Sequence, residues 1–250
     1  MKKSVYLLLA IFLVFTPVIV SAISEGDVKA LMVASEKGHI SRVKTLIREG
    51  VPVNIQNRGG YSALMFAARE GHLDLVRFLL DNGASIDMQQ KNGWTALMSA
   101  VWKEKGETVA YLLGRGADPN IIKEGGYTAL IMASQKGFAL IVKVLLEKGA
   151  DPNAQDADGM TALMESASKG YGEVVSLLLN KGARPNSVDR FDWTALMLAS
   201  YKGHIEVVKL LIEKGADVNL KQHDGVTALS YAKEQKKKNV VQILEAAGAK

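Results

Sequence analysis

The sequence predicts an all-α repeat solenoid, on three observations. A block reading Thr-Ala-Leu-Met, or a close variant, begins at Lys29, Ser62, Thr95, Thr128, Thr161, Thr194 and Thr227, always 33 residues apart. A glycine stands 21 residues after each start, from Gly50 and Gly83 through Gly116, Gly149, Gly182 and Gly215 to Gly248. Between block and glycine lie two short apolar stretches with helical spacing, and no unit carries an insertion or deletion. A fixed period of this length marks an architecture in which each unit buries its apolar face against its neighbours. The seven units run approximately over 24–56, 57–89, 90–122, 123–155, 156–188, 189–221 and 222–250.

Residues 1–22 stand outside this pattern. Lys2 and Lys3 precede an apolar run from Val5 to Val20, and Val20-Ser21-Ala22 supplies the small residues that signal peptidase accepts. The segment therefore reads as a bacterial-type signal peptide cleaved after Ala22, which places the mature chain in the periplasm or outside the cell. The alternative is an N-terminal membrane anchor. A spanning helix usually needs about 20 apolar residues, and this run is shorter and interrupted by Pro17. Cleavage would leave 29 basic and 26 acidic residues, a mature charge of +3.

Within a unit, each element has a local cause. In Gly93-Trp94-Thr95-Ala96-Leu97-Met98 the glycine permits a tight turn and Thr95 is a good N-cap. Leu97 and Ala100 then share a face of the first helix. The second helix is nearly all apolar; Glu206 to Lys214, for example, carries Val207, Val208, Leu210, Leu211 and Ile212. Such a helix must be buried on most sides. Glu173 and Glu206 suit the positive end of its dipole, and the glycine after it can take the left-handed conformation. Helices of roughly 8–10 residues do not stand alone in water, so each unit needs its neighbours. The ends read as caps. Ser24 with Asp27 makes a capping-box-like start, and Lys233 to Lys238 give the last unit a charged, solvent-facing helix and loop.

These units resemble the ankyrin repeat. Ala199-Ser200-Tyr201-Lys202-Gly203-His204 and Gly215-Ala216-Asp217-Val218-Asn219 follow the family pattern closely. The resemblance covers about Ser24 to Lys250. It implies L-shaped units, with short β-hairpin fingers and inner helices making a concave face and outer helices behind. The chain also departs from the family. The family's proline is alanine in all seven units, and its histidine is Met32, Met65, Met98, Ile131, Met164, Met197 and Ser230. That column reads as core packed by thioethers, not as a copper or haem site. Glu104 and Lys105 replace the usual Gly-His of the third unit, and Asp192 replaces the hairpin glycine of the sixth, so local irregularity is expected there.

Composition and motif searches argue against catalysis. Of the 250 residues, 48% are hydrophobic, which excludes a disordered chain. The absence of cysteine excludes disulfides, thiol nucleophiles and Cys-based metal centres. His39, His72 and His204 occupy one register, and a residue recurring at the repeat period has one structural job each time. His223 stands alone beside Asp224. No zincin, nucleophile-elbow, Walker or dinucleotide motif occurs. The chain is therefore read as a non-enzyme, without cofactor, metal or small-molecule substrate, and as a monomer.

Function is sought instead in what varies between repeats. The resemblance places the residue before each capping Thr on the groove, and this column holds Tyr61, Trp94, Tyr127, Met160 and Trp193. It also places there the two residues after each Ala/Ser pair of the first helix, among them Trp102-Lys103, Lys136, Lys169 and Tyr201-Lys202. Aromatic residues dominate interface energetics, so these eleven residues are the candidate partner-binding set. The lysines can steer an acidic partner or simply solvate the surface. The leading reading is a scaffold that grips a partner protein, supporting or inhibiting a periplasmic enzyme. The alternative is a binder of an extended polyanion or polysaccharide through the aromatic and lysine surface, with nucleic acid disfavoured by the small net charge.

Overall fold

The computed structural model describes residues 23–250, so the signal segment and its cleavage site lie outside the described residues. Fourteen helices follow one another in seven pairs, α1 (Glu25–Glu36) with α2 (Ile40–Arg48), α3 (Ala63–Glu70) with α4 (Leu73–Asp81), and α5 (Ala96–Trp102) with α6 (Gly106–Gly114). There follow α7 (Ala129–Lys136) with α8 (Ala139–Glu147), α9 (Ala162–Lys169) with α10 (Gly172–Asn180), α11 (Ala195–Lys202) with α12 (Ile205–Glu213), and α13 (Ala228–Glu234) with α14 (Lys238–Ala246). First helices pack on first helices and second on second, unit to unit, and each pair packs internally.

The caps are those the sequence dictates. The hydroxyls of Ser62, Thr95, Thr128, Thr161, Thr194 and Thr227 each accept the backbone N–H three residues on. Ser24 and Asp27 form a reciprocal capping box at α1, whose 12 residues make it the longest helix of the array. The alanine, leucine and methionine that follow each Thr are buried. Leu97, Met98, Leu163 and Met164 are each 1% exposed, so the methionine column is core. Ser230 ends that column and is exposed, as a terminal unit permits.

One polar ladder runs the length of the array. Asn54, Asn120, Asn153, Asn186 and Asn219 each donate to a glycine carbonyl of the next unit and accept the backbone N–H two residues beyond it. In the second unit Asp87 stands at this place and accepts only, from the Asp118 N–H. The histidines also join units. His72 Nε2 donates to the Glu36 carbonyl at 2.9 Å and His204 Nε2 to the Ser168 carbonyl at 3.0 Å. The His204 ring lies over Gly170, where an added Cβ would come within 2.6 Å of Nδ1. These two histidines are structural.

The fingers are simpler than hairpins of strands. Among the described residues they contain no extended strand, only isolated bridges pairing Gln56 with Ser62 and Gln155 with Thr161. Each is instead a turn closed by two backbone bonds, such as Gln90 N–H to the Trp94 carbonyl at 2.9 Å and Gly93 N–H to the Gln90 carbonyl at 2.8 Å. The two substituted glycine positions keep the backbone path. Glu104 (φ 55°) and Asp192 (φ 61°) adopt the left-handed conformation themselves, as does Lys236 (φ 53°), a third substitution the sequence reading passed over. The irregularity is small: α5 and α13, followed by Glu104 and Lys236, have 7 residues where the other inner helices from α3 to α11 have 8.

Candidate functional site

Each finger residue is held between a turn and a helix cap. The side-chain oxygens of Asn57, Asp156 and Asp189 accept the backbone N–H groups of Tyr61, Met160 and Trp193 respectively. The next residue is the capping Ser or Thr, so the backbone of the finger residue is pinned on both sides. Tyr61, Trp94, Tyr127, Met160 and Trp193 are all half-buried, resting against the core by one face. From the first helices, Trp102 is 45% exposed, Tyr201 is half-buried, and Lys103, Lys136, Lys169 and Lys202 are exposed.

The structure brings aromatic residues of the two columns together in pairs. Trp94 and Trp102 meet edge-to-face with ring centroids 5.8 Å apart, and Trp193 and Tyr201 repeat the geometry at 5.9 Å. The two places then differ. Tyr231, which sequence reasoning did not select, stacks on Trp193 at 4.2 Å and meets Tyr201 edge-on at 5.8 Å. Its hydroxyl donates to Gln222 Oε1. The second cluster is thus closed by its own rings. At the first, a cleft of about 430 Å³ stays open, walled by Tyr61, Trp94 and Trp102 and rimmed by Ser99, Arg69 and Lys103.

Electrostatics follow the same division. Arg69 is paired with Glu36 at 2.5 Å and Glu70 at 2.7 Å, and its hydrogen bond holds the Glu70 carboxyl below its ordinary pKa. Lys136 Nζ sits 4.0 Å over the Trp102 ring, Lys123 Nζ 4.5 Å over Tyr127, and Lys202 Nζ 5.3 Å over Tyr201. Among the described residues, Lys103 and Lys169 lie over no ring. The lysine row is therefore partly spent on the aromatics beside it.

Between the two clusters the groove carries carboxylates. Glu165 on α9 is half-buried, and burial above all, then the Asp156 charge, pushes its pKa above the ordinary value. Gln135 donates to Glu165 Oε1 at 3.2 Å. Burial likewise raises the Tyr127 hydroxyl, with Asp156, Glu165 and Asp158 adding to the shift. Glu165 and Tyr231 share a register that sequence reasoning left out, four residues after each capping position. It holds Val33, Phe66, Ser99, Met132, Glu165, Leu198 and Tyr231. Its variability inside an otherwise repeated helix was the signal available.

A larger cleft, about 770 Å³, opens at the first unit between Val28, Met32, Val33, Arg58 and Phe66. Among the described residues no finger precedes α1 to cover this end. No group of three or more His, Asp or Glu side chains able to hold a metal ion occurs among the described residues, and none of their helices is long and apolar enough to cross a membrane.

Comparison with known proteins bears on this geometry. The family model described as ankyrin repeats (3 copies) matches residues 31–123, 106–189 and 182–250. Among solved structures, the crystal structure of the human ASB11 ankyrin repeat domain is similar to 88% of this chain and 98% of its own, with a TM-score of 0.76 and 27% identity. No curated protein sequence matches the chain.

Proposed function

Because the chain belongs to the ankyrin repeat family, we propose that it is a non-enzymatic scaffold gripping a partner protein in the groove between its fingers and first helices. The observation that carries this reading is the pair of aromatic clusters, Trp94 with Trp102 and Trp193 with Tyr201, each built on a finger residue whose carbonyl closes its turn. Large rings fixed on a rigid frame lose little entropy on binding, and Trp and Tyr are the residues that dominate interface energies. Lys2-Lys3, the apolar run and Val-Ser-Ala support export, with Ile23 as the mature N-terminus. The partner is then a periplasmic or secreted protein, such as an enzyme that the scaffold supports or inhibits.

Two experiments test the reading. Intact-mass measurement on protein from its native host should find Ile23 first; retention of residues 1–22 would mean an anchor. Pull-down from periplasmic extract should recover one protein with the wild type and lose it with Trp102→Ala combined with Tyr201→Ala. Recovery should persist in moderate salt, whereas a polyanion complex dissociates steeply as salt rises. Capture that is indifferent to both substitutions would overturn the groove as the binding site.

A further inference from the structure

We infer that the groove recognises an extended segment of its partner protein, one that places a large apolar side chain in the Tyr61–Trp94–Trp102 cleft and a lysine or arginine on Glu165. The inference rests on the groove reading above and adds the chemistry of what is bound.

The cleft sets the first requirement. Its walls are three aromatic rings, and its rim charges are largely answered within the molecule, since Arg69 pairs with Glu36 and Glu70. Trp102 lines the cleft, is 45% exposed, and carries Lys136 Nζ 4.0 Å over its ring. A space of about 430 Å³ bounded this way matches an apolar or aromatic side chain with its neighbouring backbone, not an anion.

Glu165 sets the second. Every other residue of its register in the described array is apolar, aromatic or serine, so nothing in the repeat itself asks for a carboxylate there. Asp156 adds negative charge near it and contributes to its raised pKa, while Asp158 is paired with Arg190 at 2.6 Å. Gln135 donates to Glu165 but brings no charge, and Lys169, four residues along α9, makes no ion pair with it among the described residues, its charge only partly offsetting the upward shift. A half-buried carboxylate raised above its ordinary pKa by burial is a site whose charge a cation would stabilise. The partner group complementary to it is a guanidinium or ammonium.

The repeat fixes the spacing. First helices of neighbouring units pack about 8–10 Å apart. The cleft lies between the second and third units and Glu165 in the fifth, which puts them about 16–25 Å apart. An extended chain advances about 3.3 Å per residue, so the apolar and the basic residue should be separated by about five to seven positions.

The test is selection of random 12-residue peptides displayed on phage against the whole mature chain. Enriched peptides should carry Trp, Phe, Tyr or Leu five to seven residues from Lys or Arg. Synthetic versions should lose about tenfold in affinity against Trp102→Ala and about tenfold against Glu165→Gln. Changing the peptide's basic residue to Glu should restore binding to Glu165→Lys. Both variant positions are accessible to solvent, and far-UV circular dichroism of each confirms the fold before binding is read. If peptides lose affinity with Trp102→Ala, yet show no basic preference and bind Glu165→Gln unchanged, this inference is wrong while the groove reading stands. If no peptide is enriched, or if the enriched peptides ignore both substitutions, this inference is wrong, while the groove reading stands or falls by the pull-down.

Discussion

Replacing Trp193 and Trp102 one at a time by alanine separates a ring that holds the array together from one that is free to bind. Trp193 stacks on Tyr231 at 4.2 Å and meets Tyr201 edge-on at 5.9 Å. Each such pair contributes about 0.5–1.5 kcal/mol beyond area burial, so losing both costs about 1–3 kcal/mol. Covering half of an indole adds about 1.5 kcal/mol, which brings Trp193→Ala to about 2.5–4.5 kcal/mol. Trp102 is 45% exposed, has one aromatic partner, and lies under Lys136. One pair, a partly solvated cation–π contact of about 0.5 kcal/mol and a half-covered ring give about 2.5–3.5 kcal/mol, so Trp193→Ala should cost the more, by up to about 1 kcal/mol. Urea melts of both variants followed by far-UV circular dichroism measure the difference without relying on tryptophan fluorescence. Equal costs, or a larger one for Trp102, would refute the division into a closed and an open cluster.

Three further outcomes follow from the same contacts. Leu163→Ala, at a site 1% exposed in the middle of the array, should cost about 2–5 kcal/mol in urea melts; a loss under about 0.5 kcal/mol would mean the register is not core. Glu104→Gly should stabilise by about 0.5–1 kcal/mol, because relief of a left-handed non-glycine residue (about 1–2 kcal/mol) outweighs glycine's added chain entropy (about 0.5–1 kcal/mol). Glu104→Ala, which keeps both Cβ and φ, should gain nothing, and a lower urea midpoint for the glycine variant would contradict the strain. Glu165→Gln should melt higher than wild type at pH 7.5. A carboxyl whose folded pKa is raised contributes stability that is present below its unfolded value and lost as pH rises through the folded one. The two proteins should therefore converge below about pH 4, under the ordinary Glu value; a difference independent of pH would exclude this cause.

Period and caps were legible in the sequence because they are local and repeated. Thr at an N-cap and an apolar residue on the buried face mean the same thing in every unit, so seven copies average out context. Finger geometry was less legible. Whether a turn extends into paired strands depends on backbone contacts between units, and here two turn bonds in each finger and the cross-unit ladder of Asn54 to Asn219 suffice. Lys236 escaped notice because nothing in its own neighbourhood calls for φ 53°; only its offset of 33 from Gly203 does. At the site, Trp94 with Trp102 and Trp193 with Tyr201 could be paired from their spacing within one unit. Tyr231 and Glu165 could not, since one completes a cluster begun in the preceding unit and the other stands in a register whose remaining members are apolar, aromatic or serine.

The division between constant and variable columns also explains how such an array can acquire a binding surface without losing its fold. Ala162, Leu163 and Met164 face inward on α9 and are each 1% exposed, so they answer to packing alone. Glu165, the very next residue, is only half-buried and meets the groove. Substitution there alters what can be bound while the cap, the core and the cross-unit hydrogen bonds keep their partners. The cost is confined to one unit and its neighbours, because in a solenoid no residue packs against distant repeats. The Glu165 carboxylate, raised in pKa by its surroundings, therefore destabilises the free protein slightly at neutral pH, and a cation placed on it would recover that energy only in the complex. A groove charge of this kind favours a basic partner by attraction, which offsets the burial penalty the carboxylate carries in the unbound scaffold.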